Sequence, residues 1–217
     1  MPKRYFRLKE DMQAENWDLG DPLDEKGQEV DDPYLFAAGQ PVRVAGRLTI
    51  PVDAPGRRLD FGTAGIGAAP IVHVRVATLF AELAPDDVQL IPVDIQGHPD
   101  QYLILVATKR IRCIDDEACE EVRYWKPEHG QPERIGDYKS VMGLRIDASK
   151  VGAAKVFRTE GWDIALIVSE DIKKARSARR LPARSSRRCS PCKRPPYSPR
   201  RPCTRRQGDL GVLTSST

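Results

Sequence analysis

The chain has 217 residues with 35 Lys and Arg against 31 Asp and Glu, which gives a sequence pI near 8.8. These charges separate along the chain, because residues 1–172 carry a net charge of −9 and residues 173–217 a net charge of +13. The basic pI of the whole chain therefore does not describe residues 1–172. An argument for a basic nucleic-acid binder would depend on residues 173–217 alone.

No membrane span or secretory signal is expected. The longest apolar runs, residues 102–107 and 164–168, are far shorter than the roughly 18 residues of a membrane-spanning helix. The amino terminus has no apolar stretch followed by a small-residue cleavage site. We therefore expect a soluble cytoplasmic protein with reduced cysteines. Residues 1–172 are expected to form a single α+β domain, since a chain of that size buries roughly 70% of its unfolded surface.

Residues 10–32, called the acidic segment below, carry ten acids and a single base, Lys26. Its glycines and prolines disfavour regular structure, so the segment is predicted to be a loop that a few apolar side chains hold against the domain. Residues 42–52 then read as strand and residues 55–70 as a glycine-rich connection. From Val72 the apolar residues recur at the spacing of one helical face until Pro85, which predicts a helix at about 72–84.

After this helix the apolar period changes to that of strands. Residues 88–95 and 102–106 flank a Gly97 turn and predict a β-hairpin, and further strands are predicted at 122–125, 138–146 and 162–168. Ser169 is placed to cap a short helix whose first turn holds Glu170 and Asp171. The predicted fold is α+β, with a mostly antiparallel sheet, one clear helix at about 72–84 and a short helix after 169.

Residues 173–217 form an Arg/Pro/Ser-rich tail with almost nothing to bury, and we predict that this tail is disordered. Its abrupt start suggests a second hypothesis, that a frame change in a GC-rich gene replaced a terminal helix. As a nucleic-acid arm the tail has cations for phosphates, but Tyr197 is its only aromatic residue. As a metal site, Cys189, Cys192 and Cys203 lack a fourth ligand.

No catalytic, cofactor or metal site is predicted in residues 1–172. His73, His98 and His129 are not at metal-ligand spacing. His98 has Asp94 and Asp100 nearby and could form a general acid/base pair, although a turn histidine beside aspartates is commonly polar surface. No cofactor motif is present, because the glycines of residues 62–67 are not followed by the Lys and Ser/Thr of a phosphate loop.

Several segments together carry a family resemblance: HVRVATLFAELAPDDVQLIPVD at residues 73–94, DQYLILVAT at 100–108, IRCID at 111–115, RID at 145–147 and WDIALIVS at 162–169. With these segments, residues 1–173 resemble the myxobacterial immunity-protein family of polymorphic toxin systems. The resemblance implies an α+β domain that neutralises a cognate protein toxin and has no catalytic motif. Members of the family usually end soon after the helix that Ser169 opens, and the tail departs from that pattern.

An inhibitor needs a complementary surface, and an acidic one suits a toxin with a basic cleft. The candidate partner-binding residues lie in and just after the acidic segment: Trp17, Asp18, Asp21, Asp24, Asp31, Asp32 and Tyr34. Trp17 has an alternative role, which is to tether the loop to the domain. Two other functions stay open at this point, a nucleic-acid-binding protein that uses the tail and a hydrolase built around His98. No membrane partner is expected.

Overall fold

A computed structural model of the chain describes residues 3–11, 13 and 15–178. These residues form a sheet-dominated α+β fold, as the sequence predicts. The strands are β1 (Tyr5–Arg7), β2 (Asp18–Leu19), β3 (Leu48–Ile50), β4 (Val52–Ala54), β5 (Phe61–Ala64), β6 (Ala69–His73), β7 (Val88–Ile95), β8 (His98–Ala107), β9 (Arg110–Ile111), β10 (Glu121–Tyr124), β11 (Tyr138–Met142), β12 (Val156–Thr159) and β13 (Trp162–Ser169). The α-helices are α1 (Val74–Leu83) and α2 (Glu170–Ala178), and short 3-10 helices occupy Leu35–Ala37, Pro127–His129 and Pro132–Arg134.

The strands build one large sheet and two smaller ones. The large sheet has the order β3-β7-β8-β6-β5-β2-β4, the second sheet the order β1-β13-β12-β9, and β10 pairs with β11 alone. Most neighbours are antiparallel, and the parallel pairs are β2 with β5, β3 with β7 and β9 with β12. The predicted hairpin is present as β7 and β8, and Gly97 adopts the positive φ of its turn.

Strand β8 is an interior strand of the large sheet, between β7 and β6, and its apolar run is buried on both faces. Ile104 and Val106 face one core, which also holds Trp17, Phe36 and Val42 from irregular segments. The alternate residues of β8 face the opposite side of the sheet. There they form another core with α1, α2 and one face of the second sheet. The large sheet is therefore covered by irregular chain on one side and by helices and a second sheet on the other.

Helix α1 begins two residues later than predicted, because Val72 and His73 belong to strand β6. The imidazole Nδ1 of His73 accepts a hydrogen bond from the backbone N–H of Arg75 at 3.2 Å and so caps the helix. Strands β5 and β6 form a hairpin where the sequence predicts a glycine-rich connection. That prediction is wrong because the hairpin is stabilised by its place in the large sheet, beside β8, rather than by local pattern.

Helix α2 follows Ser169 as predicted, but Ser169 does not cap it. The Ser169 Oγ is buried and has no hydrogen-bond partner within the described residues. The helix continues to Ala178, so six residues that the sequence analysis assigned to the tail are helical. Ala175 packs against the core, and the Lys173 ammonium lies 3.7 Å from the centroid of the Phe6 ring. The rest of the predicted tail, residues 179–217, lies outside the described residues, and so do the predictions that it is disordered and that it arose by a frame change.

The side chain of Asp87 connects the large sheet to the second sheet. Asp87 lies in the turn between α1 and β7 and is 5% exposed. Its Oδ2 accepts hydrogen bonds from the backbone N–H groups of Lys155 at 2.6 Å and Val156 at 3.2 Å, and its Oδ1 accepts one from the Lys109 ammonium. One buried carboxylate thus satisfies donors from two sequence-distant segments that flank the core.

Candidate functional site

The acidic segment lies against one edge of the large sheet. Leu19 pairs with Ala64 of β5 and with Val52 of β4, so the segment contributes its own short strand to the sheet. Trp17 is 4% exposed, and its ring lies 5.4 Å from the rings of both His98 and Tyr102. Trp17 therefore tethers the segment, and its prediction as a partner-binding residue is corrected, because a side chain this deeply buried has no surface to offer.

Three of the predicted partner-binding carboxylates also form hydrogen bonds within the fold. The Asp21 Oδ1 accepts a hydrogen bond from the backbone N–H of Ile66 at 3.0 Å. The Asp24 Oδ1 accepts from the N–H groups of Lys26 and Gln28, and these backbone hydrogen bonds, chiefly that of Gln28, lower the pKa of Asp24.

The third of these carboxylates is that of Asp32, whose Oδ1 accepts from the N–H of Tyr34 at 2.9 Å. Asp21, Asp24 and Asp32 thus have hydrogen-bonding roles within the fold besides any contact with a partner. The turns at Asp24 and Asp32 are Asx-type, in which the side chain replaces a backbone acceptor.

The two remaining aspartates of the predicted set, Asp18 and Asp31, are exposed and have no side-chain partner among the described residues. Five of the ten acids in the segment share this state. They are Glu15, Asp18, Glu25, Glu29 and Asp31. Because nothing in the described chain neutralises these carboxylates, the surface of the segment carries a strong unpaired negative charge.

An exposed apolar pair lies beside the acidic segment, since the backbone N–H groups of Tyr34 and Ile66 donate to Asp32 and Asp21. Tyr34 is 58% exposed, and a contact residue must be exposed. Ile66 at the tip of the β5–β6 hairpin is 76% exposed. The two residues rise from adjoining backbone, because a Cβ placed on Gly67 would lie 1.6 Å from the carbonyl oxygen of Pro33 and 3.2 Å from the Tyr34 nitrogen. Sequence reasoning missed Ile66, and the only signal for it is an apolar residue between two glycines.

We call the surface formed by Tyr34, Ile66 and the five unpaired acids the acidic contact surface. It combines two exposed large apolar side chains with the unpaired carboxylates of the acidic segment. Protein interfaces also combine apolar anchors with polar groups.

His98 is not paired with the aspartates near it in sequence. Asp94 forms an ion pair with Arg47 at 2.7 Å, and Asp100 forms one with Arg58. The His98 ring contacts Trp17, and no hydrogen bond joins His98 to a carboxylate of the described chain. The arrangement gives His98 the role of an aromatic packing partner for the acidic segment.

Burial lowers the pKa of His73 and raises the pKa of Tyr102 to about 12, and their rings meet at a centroid distance of 5.1 Å. His73 is neutral near pH 7 and is already used as a helix cap. No group of three or more His, Cys, Asp or Glu within residues 3–178 as described could hold a metal ion. The predicted incomplete cysteine site at Cys189, Cys192 and Cys203 lies outside the described residues.

No helix among the described residues is long and apolar enough to cross a membrane. Comparison with protein-family models gives no match to this chain, and comparison with curated proteins gives none either.

Proposed function

We propose that this protein is a toxin-neutralising immunity protein, which works in the cytoplasm by stoichiometric binding of a cognate protein toxin through the acidic contact surface. The observation that carries the proposal is the exposed pair Tyr34 and Ile66 beside an acidic segment in which five carboxylates have no partner in the described chain. A single exposed apolar residue is ordinary, whereas a neighbouring pair beside an acidic segment fits a basic protein partner.

The two kinds of group have separate roles in the proposed complex. Burial of a tyrosine and an isoleucine at an interface supplies affinity, because a few central apolar or aromatic side chains dominate binding free energy. The carboxylates accelerate encounter with a basic cleft and align the partner. Occlusion of such a cleft needs no chemical step, so the proposed protein is not an enzyme.

The anchoring of the surface supports the proposal as well. Trp17 is buried, Leu19 is paired on both sides and the Asp21 carboxylate holds the β5–β6 tip through Ile66. A surface held in place before binding loses little conformational entropy on association, which favours tight complexes.

The alternatives from the sequence stay predictions. A nucleic-acid-binding function depends on tail residues outside the described chain. A hydrolase function around His98 has no supporting contact, since both neighbouring aspartates are paired with arginines.

The first test uses the full-length protein and the product of the neighbouring toxin gene. We expect a stoichiometric complex and loss of toxin activity on addition of the protein. The double variant Tyr34→Ala, Ile66→Ser should weaken the complex by about 30-fold or more, as expected for loss of a central anchor worth about 2 kcal/mol.

The matched control is Ile164→Ser, which removes another exposed isoleucine, 60% accessible, from strand β13. This control should bind the toxin with unchanged affinity. Equal binding by the double variant and the control would refute the contact surface, and enzymatic destruction of the toxin without complex formation would refute the proposed mechanism.

A second test separates charge from apolar contact. Asp18→Lys with Asp31→Lys should slow toxin association by about tenfold at low salt and by less at high salt, because steering is screened by ions. The control Asp86→Lys with Glu117→Lys makes the same change of net charge at exposed acids outside the acidic segment. If both double variants slow association equally, the effect belongs to net charge and the acidic contact surface is not the site.

A further inference from the structure

A second candidate site lies in the β10–β11 hairpin and the loop that joins its strands. It contains an open cavity of about 650 Å³ whose charged lining residues are mostly basic. Arg123 and Tyr124 line this cavity from β10, Lys139 and Ser140 line it from β11, and His129 lines it from the connecting loop. A cavity of this size accommodates a small organic molecule.

The cations of this cavity are only partly neutralised. Lys139 has no ion pair within the described chain, and its ammonium lies 5.2 Å from the centroid of the Trp125 ring. Lys126 reaches the Glu128 carboxylate only at 3.9 Å. Arg123 uses its Nε on Glu121 at 2.7 Å, which leaves both terminal nitrogens without a partner in the described residues. Three cations therefore share a cavity whose only acidic lining residue is Glu128.

His129 adds a further donor. Its Nδ1 accepts a hydrogen bond from the backbone N–H of Lys126 at 2.9 Å, which leaves Nε2 as the donor nitrogen of the ring. The Ser140 hydroxyl is a further donor among the lining residues. The cavity thus gathers guanidinium, ammonium, imidazole and hydroxyl donors within one short hairpin.

The loop that carries Lys126 and His129 is held in shape by backbone contacts. The N–H of Trp125 donates to the carbonyl of Asp137 at 2.9 Å, and the N–H of Gly136 donates back to the carbonyl of Trp125. The guanidinium of Arg134 lies 4.4 Å from the centroid of the Trp125 ring. The backbone of the loop is therefore in place before any ligand arrives.

We propose that this cavity binds a phosphate monoester with an aromatic or apolar body, such as a nucleotide. A phosphate monoester carries nearly two negative charges and three acceptor oxygens, which matches several convergent cations and hydrogen-bond donors. A single carboxylate would leave most of these donors unused. Val122 and Tyr124 supply the apolar wall against which the body of the ligand packs.

The test titrates the full-length protein with adenosine 5′-monophosphate, inorganic phosphate, adenosine and a hexaglutamate peptide. Binding is measured by calorimetry and located by the indole N–H resonance of Trp125, which the variant Trp125→Phe assigns. We expect the nucleotide to bind at least tenfold more tightly than phosphate or adenosine and to shift the Trp125 resonance, since Lys139 contacts that ring.

The variant Lys126→Gln, Lys139→Gln should weaken nucleotide binding by tenfold or more. The control Lys150→Gln, Lys174→Gln removes two exposed lysines that pair locally with Asp147 and Glu170, and it should bind normally. Absence of nucleotide binding at millimolar concentration, equal binding of nucleotide and phosphate, tighter binding of hexaglutamate, or an unaffected Lys126/Lys139 variant would each overturn the proposal. These outcomes do not depend on the toxin-binding proposal, because no toxin is present.

Discussion

Replacement of Asp87 by alanine is expected to destabilise the fold strongly, since it leaves buried donors without an acceptor. The backbone N–H groups of Lys155 and Val156 both lose the Asp87 carboxylate as an acceptor, and a buried donor left unsatisfied costs about 1–3 kcal/mol. Loss of the ion pair with Lys109 reduces stability by less, because the Lys109 side chain is 42% exposed and water can solvate its ammonium. We expect a loss of about 3–4 kcal/mol from a total stability of about 5–15 kcal/mol.

The neighbouring residue provides the control for this prediction. Asp86 is exposed, and its carboxylate has no partner among the described residues, so Asp86→Ala should change the free energy of unfolding by less than about 0.5 kcal/mol. The loss of stability in Asp87→Asn should fall between those of Asp87→Ala and Asp86→Ala. The amide oxygen of the asparagine can still accept a hydrogen bond, while its NH₂ group faces the Lys109 ammonium. Urea unfolding of the full-length variants measures all three. An Asp87→Ala variant within about 1 kcal/mol of Asp86→Ala would refute the assignment of Asp87 as the link between the sheets.

Gly65→Ala should destabilise the protein by about 1–3 kcal/mol more than the control Gly152→Ala. Both glycines have positive φ, but only at Gly65 would the added Cβ clash with Asp21, 1.9 Å from its Oδ1. Equal losses of stability in urea unfolding would contradict this contact. Native-state alkylation at pH 8, read by peptide mapping, should modify Cys119 much faster than Cys113, which is 0% exposed and whose pKa burial raises to about 12. Unfolding in urea should remove the difference, and fast native labelling of Cys113 would show that its burial is wrong.

The β7–β8 hairpin and helix α1 could be predicted because their signals are local. An apolar period of 3.6 ending at Pro85 marks a helix wherever it packs, and alternating apolar residues around Gly97 mark a hairpin. The bounds shifted by two residues at Val72 and His73, where a strand runs directly into the helix. The residue at which such a strand ends and the helix begins depends on the strands with which it pairs. A local sequence pattern does not contain that information.

The candidate site was predicted only in part. The charge of the acidic segment follows from composition, whereas the exposure of Tyr34 is seen only in the structure. The burial of Trp17 depends on His98 and Tyr102, more than 80 residues away in sequence. Ile66 was missed because its importance comes from the approach of Gly67 to Pro33 and Tyr34.

The sequence alone determined the α+β class, the main hairpin, the first helix and the separation of negative and positive charge along the chain, because these are properties of neighbouring residues. Only the tertiary structure decided which acids are tied to backbone N–H groups and which face solvent, since hydrogen-bond partners such as Ile66 for Asp21 are brought near by folding. The same holds for Asp87, which reads as a turn residue in sequence and becomes a buried link between two sheets through contacts with residues 155 and 156. Contacts between residues that are distant in sequence create these environments, and local sequence patterns do not reveal such contacts.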